Sequence, residues 1–390
     1  MRIPFGTISI TPKAKELVNE ALDSGRVSNG KYVKEFEQGF AKIVGVKEVV
    51  AVSSGTDADT IALAVLHDFG AKRGDEIIVP ALSFVSTGNA VLHAGFIPVF
   101  VDVKRETYNI DPTKIEEAIT EKTKAIMPVH LMGKPADMDA ICQIAKQHGL
   151  YVIEDAAEAH GAIYKGKNVG SIGDMGAFST YVAHLVSSVE GGMITTDNSD
   201  FADIARALRN HGKFCHCQVC SSNAKFGHCP DRFLFSRIGY SAKMNDLEAA
   251  VGVGSLEIYE KVLAIRRKNL LSFMKKFEAF KPYLTTFREE AHEQIGPHAF
   301  PFVVAEGAPF TRGELYEYIE EKEIDARQLF SSMPTQCKGF EFLGHKAGEF
   351  PNAEFIGNNG LHIGVHQDIT EEHIEYFMQT IKEFLETHIK

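Results

Sequence analysis

Three short stretches bring together residue types that can do chemistry. In VSSGTDADT (52–60) an apolar run ends in Ser-Ser-Gly-Thr and a helical pattern follows. Gly55 lets the backbone approach a ligand closely, and Thr56 adds a hydroxyl and an N–H at a helix N-terminus, where an anion is favoured. Many such turns are only helix caps. In IEDAAEAHGA (153–162) Asp155 stands at the C-terminal end of an apolar strand, a position suited to a cationic ring nitrogen or, more simply, to capping the next helix. In GDMGAFSTYVAHLVSSVEGGMITT (173–196) Ser179, His184 and Glu190-Gly191-Gly192 precede another strand. A fourth stretch, CHCQVCSSNAKFGHC, carries Cys215, Cys217, Cys220 and Cys229. Thiolates this dense suggest ligation of a soft metal, as an iron–sulfur cluster or zinc. The spacing lacks the paired knuckles of ordinary zinc ribbons, so unmetallated thiols remain a third reading.

The elements that must position these groups follow from hydrophobic periodicity. EVVAVSS (48–54), EIIVP (76–80), IPVFVDV (97–103), KAIMPVHL (124–131) and YVIEDAA (151–157) read as buried parallel strands. Segments 57–70 and 137–149 between them have apolar residues at helical spacing. This alternation predicts an α/β fold, an open parallel sheet covered on both faces, with ligands at the C-terminal ends of its strands. Beyond about residue 255 the pattern changes to a long charged helix (256–278), FPFVVAEG (300–307) and helices over 311–324 and 369–389. The expected division is a large domain over 1–255 and a smaller α+β domain over 256–390, with about the first 30 residues placed to pack on the latter.

Bulk properties narrow the function classes. A formal net charge of −11 argues against nucleic acid as the main partner but leaves room for a small phosphorylated ligand. No long apolar run suggests a membrane span, and the N-terminus shows no signal-like core, so a cytoplasmic enzyme is expected.

These blocks together resemble the DegT/DnrJ/EryC1/StrS family of sugar aminotransferases and dehydratases, a branch of the fold-type I pyridoxal-phosphate enzymes. The resemblance also takes in GRVSNGKYVKEFEQGFA (25–41), ALSFVST, VHLMGKPADMDAI and the RNHG stretch (209–212), and covers nearly the whole chain. It implies that Gly55, Thr56 and Ser179 hold a cofactor phosphate and that Phe84 stacks on the pyridine ring. It further implies that Asp155 pairs with the ring nitrogen and that Glu158 lies near the phenolic oxygen.

The chain also departs from the family. Most members carry a Schiff-base lysine at the offset from Ser179 where His184 stands, and no lysine occurs between Lys167 and Lys213. Imidazole cannot hold pyridoxal phosphate covalently as a lysine amine does, so the cofactor is expected to bind non-covalently, as pyridoxamine phosphate, with His184 as acid and base. The substitution is similar to that in the family's 3-dehydratases acting on GDP-4-keto-6-deoxymannose and CDP-4-keto-6-deoxyglucose. The implied reaction is loss of the C3 hydroxyl from a nucleotide-linked 4-keto-6-deoxyhexose. Glutamate or an electron-donating reductase would be the second reactant. Amino transfer with altered chemistry, or a non-catalytic cofactor- or metal-binding relative, are the competing readings. The family also implies a homodimer in which a loop resembling GYNYRM reaches the other subunit's phosphate; here it reads GYSAKM (239–244), with Ser241 in the Asn position. The iron–sulfur dehydrases of the family draw one more cysteine from the strand end, where this chain has Ala157.

Overall fold

A computed structural model describes residues 1–213 and 233–389. Cys215, Cys217, Cys220 and Cys229 lie outside the described residues. Seven strands form the larger sheet: β1 (Glu48–Val52), β2 (Glu76–Pro80), β3 (Ile97–Val101), β4 (Thr123–Ile126), β5 (Tyr151–Asp155), β6 (Met175–Ser179) and β7 (Gly192–Thr196). Their spatial order is β1-β7-β6-β5-β4-β2-β3. Nearly every residue of these strands is buried, as expected of a sheet covered on both faces.

The sheet is mainly parallel, with one strand reversed. β7 runs antiparallel to both β1 and β6, while β6, β5, β4, β2 and β3 pair in parallel. The short segment of 12 residues between Ser179 and Gly192 is the reason: it closes back on itself instead of crossing the sheet, so the next strand must reverse. Strand ends are also earlier than periodicity suggested. The fourth strand stops at Ile126, just before Pro128, whose missing N–H cannot extend the ladder but whose carbonyl accepts from Asp155 N at 2.9 Å.

Helices α1 (Pro12–Ser24) and α2 (Lys31–Val44) precede the sheet, and α3 (Gly55–Val65) follows β1 directly. α3 is capped by Ser54, whose Oγ accepts from Asp57 N, and every residue from Ala58 to Val65 is buried. α4 (Val85–His93), α5 (Met138–His148) and α6 (Ser199–Leu208) complete the flanking layers, and α7 (Asp246–Glu257) and α8 (Tyr259–Phe277) lead out of them. The long charged helix expected over 256–278 is α8, which begins at Tyr259, while Leu256 and Glu257 close α7.

A second, antiparallel sheet comprises β8 (Leu284–Thr285), β9 (Ala299–Val304), β10 (Ala326–Gln328) and β11 (Gly360–Gly364), in the order β8-β9-β11-β10. Phe273, Phe277, Phe300, Phe302 and Phe377 pack between this sheet, α8 and helix Glu371–His388. One apolar cluster runs from Val50 and Ile77 in the first sheet through to these rings. The N-terminus divides its packing: Ile3 bridges to Ile324 beside the second sheet, whereas α1 lies on α7, where a Cβ at Gly254 would come within 2.6 Å of Ala14 Cβ. Among the described residues no helix is long and apolar enough to cross a membrane.

Candidate active site

The C-terminal ends of β1, β2, β5 and β6 open onto a cavity of about 510 Å³ that residues near the second sheet close from the other side. A wider open cleft of about 1380 Å³ lies along α2 and Arg206, but none of the residues singled out for chemistry lines it.

The strand-side wall is made of polar groups held by local geometry. Gly55 and Thr56 are the first two residues of α3, so their N–H groups have no intrahelical acceptor. A Cβ at Gly55 would sit 2.7 Å from Ser179 Cβ, and one at Gly192 would sit 2.2 Å from the Ser54 carbonyl oxygen. Only glycine keeps this concavity open. Ser179 ends β6 and its Oγ accepts from Tyr181 N at 3.3 Å. Asp155 ends β5, is almost fully buried, and accepts from Thr87 Oγ1 at 2.7 Å and from Ala157 N at 3.2 Å. Ser83 completes that chain at 2.8 Å from Thr87 Oγ1. Burial raises the Asp155 carboxyl above its ordinary range, and these two donors oppose the shift. The adjacent Glu154 points to the opposite face, where Gly170, Ile172 and Gly173 N–H groups and His130 Nε2 hold it within 2.7–3.0 Å.

Phe84 sits at the lip, 54% exposed, its ring 5.5 Å from that of Phe330. Glu158 lies deeper, its Oε2 accepting from Met132 N at 2.8 Å, and burial pushes its carboxyl up to about 8. His184 stands in the loop between β6 and β7, fixed by its own N–H to the Tyr181 carbonyl at 2.9 Å. Its Nδ1 is screened from solvent and finds no hydrogen-bond partner. Burial and the neighbouring His298, His160 and Arg266 hold it well below the usual imidazole range, so it is a neutral base at physiological pH.

Gly55, Thr56, Phe84, Asp155, Glu158, Ser179 and His184 therefore all line one cavity. Ser241 does not. It is exposed and forms a bridge with Asn210, away from its own chain's cavity.

Several lining residues escaped the sequence reading: Asp59, His298, Arg327, Phe330 and His362. Asp59 is one turn beyond Gly55 on α3; it is buried, with Oδ1 unpartnered, and burial beside Asp155 holds its carboxyl well above its ordinary range. The i, i+4 spacing from Gly55 was the available signal. Arg327 lies flat over Phe5, 3.7 Å from the ring centroid, and His362 packs edge-on to the same ring. Nothing local marks Arg327, His298 or His362, because only tertiary packing brings the second sheet to the cavity.

The cavity fits a pyridoxal-type cofactor. It offers a glycine-lined anion cradle at a helix N-terminus, a buried carboxylate for a cationic ring nitrogen, and an aromatic lip. Among the described residues no lysine lines it, and no group of three His, Cys, Asp or Glu side chains is placed to hold a metal ion.

The profile of the DegT/DnrJ/EryC1/StrS aminotransferase family matches residues 9–382. A GDP-4-keto-6-deoxy-D-mannose 3-dehydratase from Yersinia pseudotuberculosis is 34% identical, over 97% of this chain and 98% of its own. A GDP-perosamine synthase from Caulobacter vibrioides is also 34% identical, over 98% of both chains. Among solved structures, the E. coli GDP-4-keto-6-deoxy-D-mannose-3-dehydratase with bound hydrated PLP superposes with a TM-score of 0.88 at 30% identity, over 97% of this chain and 99% of that one. The chain belongs to the DegT/DnrJ/EryC1/StrS family and has the fold of the pyridoxal-phosphate aminotransferases and dehydratases.

Proposed function

We propose that this family member removes the C3 hydroxyl of a nucleotide-linked 4-keto-6-deoxyhexose with pyridoxal or pyridoxamine phosphate as cofactor, and that His184 is its acid and base. The observation that carries the reading is His184 lining a cavity that keeps Gly55, Thr56, Asp155 and Ser179 but, among the described residues, has no lysine in its wall.

In this reading the N–H groups of Gly55 and Thr56 and the Ser179 hydroxyl bind the cofactor phosphate. Asp155 holds the charge of the ring nitrogen, Phe84 covers the ring, and Glu158 faces the phenolic oxygen. When bound, the cofactor supplies an electron sink and, in its amine form, a nucleophile for a ketone. His184 would take up the proton released from the carbon that bears the cofactor's amine. Because its surroundings disfavour the imidazolium, it would give that proton up to the departing C3 hydroxyl, which leaves as water. A homodimer in which Ser241 serves the partner's phosphate belongs to the same proposal; its exposure and its distance from its own cavity support it.

The test is to incubate the protein with pyridoxamine phosphate and GDP- or CDP-4-keto-6-deoxyhexose and follow loss of water by mass spectrometry. Formation of an amino sugar from glutamate would establish amino transfer instead, the activity implied by the perosamine synthase relative. His184→Lys is expected to bind pyridoxal phosphate covalently, detected by borohydride trapping. Iron, sulfide and zinc analysis of anaerobically purified protein decides between an iron–sulfur cluster, zinc and free thiols at Cys215, Cys217, Cys220 and Cys229. Iron and sulfide together would add an electron-donating reductase to the scheme.

A further inference from the structure

His298 is a buried group of the cavity wall to which the proposed reaction gives no task. It directly precedes β9 and enters the cavity from the side of the second sheet. Its ring centroid is 5.1 Å from that of His184, with the planes tilted by 32°. Its Nε2 lies 3.4 Å from Glu158 Oε1, and the other Glu158 oxygen is fixed by Met132 N–H. The three side chains thus form a row: Glu158 after β5, His298 before β9, and His184 between β6 and β7.

We propose that His298 is a positioning residue that couples Glu158 to His184, so that loss of the proton from Glu158 makes His184 a stronger base. The proposal takes from the preceding section only that His184 is the base.

The contact between His298 and Glu158 is not an ion pair at neutral pH. Burial holds Glu158 up at about 8 and His298 down at about 3, so a neutral carboxyl faces a neutral imidazole. With Glu158 neutral, no net charge stands beside the His298 ring, 3.4 Å away at Nε2. When Glu158 releases its proton to solvent, its carboxylate favours the His298 tautomer that carries the ring proton on Nε2. A negative charge then stands one ring away from His184. That charge offsets the cost of protonating His184, whose other neighbours supply none. His160 packs 5.9 Å away and donates its Nε2–H to the Ser179 carbonyl, Tyr181 contributes a ring edge, and the Arg266 guanidinium disfavours a second cation. Glu158 itself is faced by His298, Asp155 and the Met132 N–H. His298 is further faced by His362, Arg327, Arg266 and His160, all of which oppose its protonation. Within this set Glu158 is the acid whose ionisation falls at about 8.

The experiment uses full-length, cofactor-free protein labelled in its histidines, with the His184 resonance assigned from a His184→Gln spectrum and followed from pH 6 to 10. Wild type is expected to show an inflection at about pH 8 in the His184 signal. Glu158→Gln should abolish it. His298→Phe fills the space with a ring that cannot accept or donate, and should reduce the inflection to roughly a third or less. His298→Asn is the second variant should the phenylalanine impair folding, and Glu121→Gln, exposed and outside the cavity, should leave the inflection intact. An inflection that survives in both His298 variants, that persists in Glu158→Gln, or that is missing in wild type overturns the coupling. Pyridoxamine phosphate titration and the dehydration assay are run separately. If they fail while the titration pattern holds, the functional reading falls and the coupling stands.

Discussion

The two walls of the cavity are built in different ways. The strand-side wall, with Gly55, Thr56, Asp155 and Ser179, consists of groups within a residue or two of a strand end or helix start. Their positions are set by backbone hydrogen bonds and caps, and a short window of sequence suffices to place them. The facing wall, with His298, Arg327, Phe330 and His362, is assembled from residues that are close only because two sheets pack together. The first wall presents fixed dipoles and the buried carboxyls of Asp155 and Asp59. The second carries imidazoles whose charge burial suppresses, with His298 and His362 both pushed down to about 3. In the proposed reading the first wall anchors the cofactor and the second serves proton movement, with His184 at the seam.

Substitutions on either side of the seam should therefore fail in different observables. The largest effect is expected from His184→Ala, which should lower the dehydration rate by about 10²–10⁴-fold while the dissociation constant for pyridoxamine phosphate changes little. Equal loss of affinity and rate would place His184 in the anchoring wall instead. Asp155→Asn should do the reverse: removing a charged hydrogen-bond partner weakens cofactor binding by roughly 10- to 100-fold in equilibrium titration. Gly55→Ala puts a methyl group 2.7 Å from Ser179 Cβ and should lower the stability of the cofactor-free protein by about 1–3 kcal/mol, measured by urea unfolding, besides crowding the phosphate cradle.

The smallest effect is a pH profile. The depressed histidines His160 (about 4) and His298 (about 3) add stability that is present above the unfolded imidazole value and lost as pH falls toward those numbers. Glu158, raised to about 8, contributes in the opposite sense: its stabilisation is complete below the unfolded carboxylate value and lost as pH rises through about 8. Asp59 acts in the same direction as Glu158. The melting temperature of cofactor-free protein should then peak near pH 6.5 (~6.5 being the unfolded imidazole value). Glu158→Gln should flatten the decline on the alkaline side by a few degrees.

The same contrast explains what the sequence made legible. Five of the strands and the approximate helices follow from apolar periodicity, and the anchoring residues stand in motifs where strand, turn and helix are contiguous. β7 was expected as a strand but its reversal was not read, because periodicity reports burial and says nothing of direction; the brevity of the loop from Thr180 to Gly191 was the signal. Ser241 was expected at the other subunit's phosphate from its place in GYSAKM, and within one chain it bridges Asn210 outside the cavity. His298 lies between Pro297 and an apolar strand, a context that reads as an ordinary strand entry. Its meaning comes from Glu158, 140 positions earlier in the chain.

The reversal at β7 has a further consequence. Because β6 ends and β7 begins at the same edge of the sheet, the loop that carries His184 has both stems anchored there, Thr180 N donating to the Gly191 carbonyl at 2.9 Å and Thr180 Oγ1 meeting Ser188 Oγ at 2.6 Å. The loop behaves as a cartridge seated in a fixed socket. Exchanging the residue at position 184 requires no rethreading of the sheet and leaves Gly55, Asp155 and Ser179 in register, so the loop can vary while the opposite wall of the cavity stays as it is.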